Sequence, residues 1–256
     1  MKSAWIITTG LLSAGVMLAA AEPFCHWDFE KIDNAKKQFV STNGKFRLTT
    51  RTMTDQGFKG NGIRLDDKNQ IGIKLIDAKN WTAFTLEMKF KLDKGVDKSE
   101  GNALFCYCKH DWNRSQFLLR ITPKKQLEAS FHQAKPNPPG KFVVTSKVLN
   151  FEPGKFYTVR VASQDGGPLK IWLDGELVAM KEKGSWGFNR LTVNQIPKGN
   201  YLFLMFGNDR ANSEKIYRPL NGSADDIKIW NEFKEPDLIG ETSAESQKVS
   251  IPLITG

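Results

Sequence analysis

Residues Pro168-Leu-Lys-Ile-Trp-Leu-Asp-Gly-Glu-Leu-Val178 decide the fold. Two alternating runs flank an Asp-Gly pair. In an extended chain successive side chains point to opposite faces, so Leu169, Ile171 and Leu173 share one side, and Lys170 and Trp172 the other. Asp174-Gly175 can take the positive φ angles of a two-residue primed turn, which predicts a hairpin.

The same pattern recurs on both sides of this stretch. Phe84, Leu86, Met88, Phe90 and Leu92 alternate with Glu87, Lys89 and Lys91, the clearest period of two in the chain. Trp27–Glu30, Phe46–Thr50, Ile63–Leu65, Ile71–Leu75, Ala103–Cys108, Gln116–Ile121, Gln126–His132, Phe142–Val148, Phe156–Ser163, Tyr201–Phe206 and Ala224–Trp230 read as further short strands, bounded by Gly, Pro, Asn or Asp. Gly57-Phe-Lys-Gly-Asn-Gly62 reads as a glycine-rich turn before Ile63. No segment carries an amphipathic helical period. About a dozen short antiparallel strands predict an all-β, two-sheet jelly-roll sandwich.

Lys2, the uncharged run Ala4–Ala20 and the Ala19-x-Ala21 ending read as a secretory signal peptide over 1–21. Cleavage would leave about 235 residues, enough for one sandwich with a substantial core. The expected organisation is a jelly-roll domain over 22–235 and a polar tail or edge strand over 236–256. No later stretch is apolar and long enough to span a bilayer. The destination is outside the cytoplasm: secreted, periplasmic or on the cell surface.

Lys and Arg number 37 against 28 Asp and Glu, a net charge of +9. The charges are dispersed, and no nucleic-acid-binding motif accompanies them. An exported basic protein suits acidic polysaccharides or anionic surfaces. Cys25, Cys106 and Cys108 are the only cysteines. Export permits a disulfide, the odd count leaves one thiol over, and either Cys106 or Cys108 could meet Cys25.

The ordered features resemble the laminin G-like domains of the concanavalin A-like lectin/glucanase superfamily. The likeness rests on Trp27-Asp-Phe-Glu30, on Gly57-Phe-Lys-Gly-Asn-Gly-Ile-Arg-Leu-Asp66, on Trp81–Leu92, on Lys170–Val178 and on Gly222-Ser-Ala-Asp-Asp-Ile-Lys-Ile-Trp230. It covers roughly Phe24 to Glu235. It implies a concave and a convex sheet, and a Ca²⁺ at the sandwich rim held by Glu30 and Asp225, with Asp28 and Asp226 beside them. A hard cation takes carboxylate and carbonyl oxygens, which two chain segments meeting at a rim can supply.

The glucanases of this superfamily carry Glu-x-Asp-x-x-Glu on one strand, and no such run occurs here. The strand with Glu87 offers Lys89 and Lys91 instead of acids. A jelly-roll polysaccharide lyase needs a His or Tyr base with Arg and Gln or Asn, for which His132, Gln116 and Arg120 are the candidates. The expectation is a binding role ahead of a catalytic one.

Sugar sites stack aromatic rings on apolar sugar faces and hold hydroxyls with Asn, Asp, Gln or Arg. Lys109-His-Asp-Trp-Asn-Arg114, Gly184-Ser-Trp-Gly-Phe-Asn-Arg190 and Gly207–Arg218 carry that mixture. Trp112, Arg114, Trp186, Arg210 and Tyr217 are therefore the expected ligand contacts. The expected function is a secreted, non-catalytic carbohydrate-binding module, including for acidic glycans. An extracellular polysaccharide-degrading enzyme is the first alternative. A cell-surface module docking an acidic protein is the second.

Overall fold

Phe84, Leu86, Met88, Phe90 and Leu92 all point inward and are buried. They make Ala83–Leu92 the central strand of the larger sheet. The computed structural model describes residues 22–33, 38–49, 54–69, 71–74, 77–109, 116–133, 140–184, 186–190, 202–209 and 216–236. The segment read as a signal peptide, and all of the tail beyond Pro236, lie outside the described residues.

In chain order the strands are β1 (Cys25–Trp27), β2 (Ile32–Asp33), β3 (Gln38–Val40), β4 (Arg47–Thr49), β5 (Thr54–Gln56), β6 (Asn61–Leu65), β7 (Ile71–Lys74) and β8 (Ala83–Leu92). There follow β9 (Asn102–Lys109), β10 (Phe117–Ile121), β11 (Leu127–Gln133), β12 (Gly140–Thr145), β13 (Phe156–Gln164), β14 (Leu169–Leu173), β15 (Glu176–Lys181), β16 (Leu202–Phe206) and β17 (Gly222–Trp230). Two short 3-10 turns, Asp77–Asn80 and Phe188–Arg190, are the only helical elements among the described residues. Every paired strand is antiparallel, as expected of a jelly-roll sandwich.

One sheet has eight strands in the order β15-β14-β13-β8-β17-β6-β5, with β1 also paired to β17. A second sheet runs β12-β11-β10-β9-β16-β7. A small sheet of β2, β3 and β4, not foreseen in the sequence, completes the described strands. Between the two large sheets Phe84 stacks on Phe188 at 4.0 Å, and Phe188 on Tyr107 at 4.4 Å. Burying each such ring contributes about 1.5–3 kcal/mol, which is why the oily faces of the central strands turn inward.

The hairpin forms as its turn chemistry dictates. Asp174 and Gly175 have φ of 51° and 82°. The Thr158 amide donates to Asp174 Oδ1 at 2.7 Å, tying the turn to β13. Trp172 lies on the outward face, opposite Arg160 in the strand register, yet is buried.

Three expectations need correction. The first strand ends at Trp27, because Phe29 turns to a φ of 58° and plugs into the core against Phe39. The strand expected over Phe142–Val148 stops at Thr145, where Ser146 turns its hydroxyl to the Lys147 carbonyl and accepts the Leu127 amide. The disulfide is not formed: all three cysteines are buried thiols. Cys25 sits in the core between the sheets, whereas Cys106 and Cys108 pack with Ala103, Leu118 and Met205 on the other side of β9. Cys25 belongs to the eight-stranded sheet and faces the core, while alternation along β9 turns Cys106 and Cys108 to the outer side of the six-stranded sheet.

Candidate functional site

The Gly57–Asn61 loop is held by a carboxylate on each side. Asp225 Oδ2 accepts the Phe58 amide at 2.9 Å and the Lys59 amide at 3.2 Å. Its Oδ1 accepts the Asp226 amide at 2.6 Å. Glu30 Oε1 accepts the Asn61 amide at 2.7 Å, and Oε2 accepts Asn61 Nδ2 at 3.1 Å. The glycines of this stretch permit that approach. A Cβ on Gly60, whose φ is +71°, would collide with Glu30 Oε1. One on Gly57 would lie 2.7 Å from Asp225 Oδ2.

A bulge in β17 sends neighbouring acids in different directions. The register against β8 slips between Asp225 and Lys228, and Asp226 takes a φ of 47°. Bulges re-aim side chains in this way. Asp225, 3 % exposed, turns to the loop amides. Burial raises its pKa, an effect partly offset by those amides. Asp226 meets His26 Nε2 at 2.7 Å, Lys228 Nζ at 3.0 Å and Lys89 Nζ at 3.3 Å. Burial works against its ionisation, but the His26 hydrogen bond and the charges of Lys228 and Lys89 win, holding this carboxyl far below the usual carboxylate range.

Further along the same outward face, Glu87 receives Arg160 through Nε at 2.6 Å and Nη2 at 2.5 Å. Lys228 spans Glu87 and Asp226, and these two anions keep its pKa above the ordinary lysine value despite burial. Arg160 and Lys234 both lie over the Trp230 ring, 5.5 and 5.4 Å from its centroid. Near the β6 edge Arg64 contacts Asp55, Asp66 and Asp93. Fixed ion pairs thus tile the face.

Phe58 departs from that pattern. It is 57 % exposed, with Lys89 Nζ 4.1 Å from its ring centroid. Phe156 on β13 lies 5.9 Å from it at 77°, and Lys91 Nζ is 5.3 Å from the Phe156 ring. Two aromatic rings and two ammonium groups form an open surface at the rim. A sugar can stack on such rings while its anionic substituents meet Lys91; Lys89 is already paired with Asp226. Nothing in the sequence alone set Phe58 apart, because it occupies a stretch that reads as a turn.

The expected ligand residues fare differently. Trp186 is a correction: it is 1 % exposed, packed against Phe131 and Phe142, with its carbonyl accepting Ser163 Oγ. Its ring is part of the core and offers no face to a ligand. Tyr217 is partly exposed; its amide donates to Asn208 Oδ1 at 3.1 Å, and its carbonyl accepts the Asp209 amide. Trp112, Arg114 and Arg210 lie outside the described residues.

Glu30 and Asp225, the acids that the resemblance implies for Ca²⁺, both accept amides of the Gly57–Asn61 loop. All four of their oxygens accept N–H groups, which take up lone pairs that a cation would need. Asp226 points instead to His26 and two lysines. Among the described residues no three His, Cys, Asp or Glu side chains gather as metal donors. The residues present do not fit Ca²⁺ at this rim.

Gln116, Arg120 and His132 share the outward side of the six-stranded sheet, but Arg120 is four positions along the chain from Gln116 and pairs across the strands with Glu128. Gln116 faces His132 across the strands, with the His132 amide donating to the Gln116 carbonyl at 2.7 Å. Arg120 lies on the same side and is held by Glu128 at 3.0 Å.

No protein-family model matches this chain, and no curated protein does. Solved structures do match. The fold is similar to part of the botulinum neurotoxin binding domains. The binding domain of botulinum neurotoxin DC in complex with SialylT matches with a TM-score of 0.54 and 12 % identity, over 84 % of this chain and 48 % of that one. The same domain in complex with rat synaptotagmin II gives 0.55 and 11 %, over 84 % and 49 %. A structure of botulinum neurotoxin type C, whose cell entry depends on interaction with two ganglioside molecules, gives 0.54 and 12 %, over 84 % and 49 %. The chain spans about half the length of these proteins. At such identity the likeness is one of fold.

Proposed function

We propose that this chain is a secreted, non-catalytic carbohydrate-binding module of the laminin G-like kind, taking an acidic glycan on the Phe58–Phe156 surface. One observation carries the reading: an exposed phenylalanine, on a loop anchored from both sides, sits beside a second ring with a lysine at each. The apolar face of a sugar ring would cover Phe58, and Lys91 would meet its carboxylate or sulfate, Lys89 being already paired with Asp226. The nearby acids Glu87 and Asp226 are committed to cations. Asp226, held ionised far below the usual carboxylate range, does not suit the role of the protonated acid that glycoside hydrolysis needs. The neurotoxin domains of similar fold, one bound to SialylT, add support. Trp112, Arg114, Arg210 and Tyr217 are proposed as further ligand contacts.

Calorimetry against polygalacturonate, alginate, chondroitin sulfate and a neutral glucan tests this. The expected result is salt-weakened binding to an acidic polymer, lost in Phe58→Ala, with no reducing ends or unsaturated products formed. Absence of binding to every polymer would overturn it.

A second reading, a polysaccharide lyase, is favoured by one observation. Gln116 is buried opposite His132, with its side-chain oxygen lacking a hydrogen-bond partner among the described residues. Unsaturated products from a uronate polymer, abolished in His132→Ala, would establish it.

A further inference from the structure

We propose that Glu30 and Asp225 are positioning residues that clamp the Gly57–Asn61 loop and aim Phe58, so that glycan capture here requires no divalent cation. This rests on the binding surface proposed above and adds how that surface is held. The resemblance to laminin G-like domains assigns these two acids to Ca²⁺. The geometry gives them another task.

The loop turns three backbone amides, those of Phe58, Lys59 and Asn61, onto two carboxylates. Hydrogen bonds from amides to an ionised carboxylate are among the strong ones. They do here what a bridging cation does elsewhere: they join chain segments far apart in sequence, 31 positions for Glu30 and Asn61 and 167 for Asp225 and Phe58. The two acids grip opposite ends of the loop, with Phe58 just inside one of them. Gly57 and Gly60 leave no room for a side chain between loop and carboxylates. The loop is therefore cut to fit these two groups directly. Losing either grip frees Phe58 from the position in which Lys89 and Phe156 flank it.

The test uses the full chain, with and without the substitutions Glu30→Ala and Asp225→Ala. Thermal unfolding is followed in EDTA and in about 10 mM CaCl₂, well above the dissociation constants of weak extracellular sites. Trypsin cleavage after Lys59 is followed in parallel by mass spectrometry. The expected result is melting curves that coincide within about 1 °C in the two buffers, since an occupied site would shift the midpoint by several degrees. Cleavage after Lys59 is expected to speed up about tenfold in Glu30→Ala, whose exposed position spares the fold, and in Asp225→Ala where that variant folds. A calcium-dependent rise in midpoint that disappears in Glu30→Ala would overturn the proposal, as would a Lys59 bond equally protected in Glu30→Ala.

The polysaccharide panel separates this proposal from the function it rests on. Binding that EDTA abolishes sinks the clamp and leaves glycan binding standing. No binding to any polymer, with calcium-indifferent melting and loosened variants, sinks the function and leaves the clamp.

Discussion

Asp225 Oδ2 accepts the backbone amide of Phe58 at 2.9 Å across 167 positions of sequence. The most exposed aromatic ring among the described residues is thereby fixed from a buried acid on the last strand. Exposure and rigidity rarely coincide, because a loop held only by its neighbours in sequence frays. Their coincidence separates a binding loop from an incidental turn.

Replacing Phe58 by Ala should change stability by no more than about 0.5 kcal/mol, since the ring is mostly in water. Affinity for the acidic polymer should fall about tenfold or more, equivalent to about 1.4 kcal/mol. Calorimetry paired with urea unfolding checks both. Unchanged affinity would remove Phe58 from the site.

Asp226 makes stability depend on acid. Its carboxyl titrates lower in the folded chain than in the unfolded one, so its contribution is complete above the ordinary carboxylate pKa of about 4. That contribution fades as pH falls from there towards the depressed folded value. Asp226→Asn should lose about 1–3 kcal/mol at pH 7 and show a flatter stability profile below pH 5. Asp225 runs the other way. Burial raises its folded pKa, so its contribution is present in acid and lost as pH rises through that value. Urea midpoints at stepped pH values, taken for the unsubstituted chain and for Asp226→Asn, would show whether the acid-dependent part disappears with the carboxylate.

Gly60 and Gly44 offer a matched pair. Both have positive φ, +71° and +74°, but a Cβ at Gly44 meets nothing within 4 Å whereas one at Gly60 strikes Glu30. Gly44→Ala should cost about 1 kcal/mol, from backbone strain alone. Gly60→Ala should cost clearly more and expose Lys59 to trypsin. Equal costs for the two would show that the carboxylate moves away freely.

Trp186→Phe should lower stability by about 1–3 kcal/mol through lost core volume, while glycan affinity per folded molecule stays the same. A fall in affinity without a fall in stability would return Trp186 to the ligand site.

The thiols offer a chemical check. Burial pushes Cys25 above the ordinary thiol pKa, and Cys106 and Cys108 are equally enclosed. The native chain should react negligibly with a thiol reagent at pH 8, and all three thiols should appear after unfolding without reductant. A single reactive thiol at that point would mean that a disulfide forms in solution.

The sequence alone determined the long strands and the direction their oily faces take, because alternation is local: Phe84 to Leu92 and the Asp174-Gly175 turn can each be read within about ten residues, whereas the short β2, β3 and β5 cannot. The end of β1 escaped that reading, since Phe29 breaks the strand to fill a hole opposite Phe39. Loop aromatics escaped it as well. Trp186 and Phe58 both sit among glycines, yet one is buried and the other exposed. Tertiary structure decided that difference, through Phe131 and Phe142 closing over Trp186 and through Asp225 and Glu30 holding the Phe58 loop out at the rim. Whether a carboxylate binds a cation or an amide depends on what distant segments bring to it, and no spacing of residues along the chain encodes that.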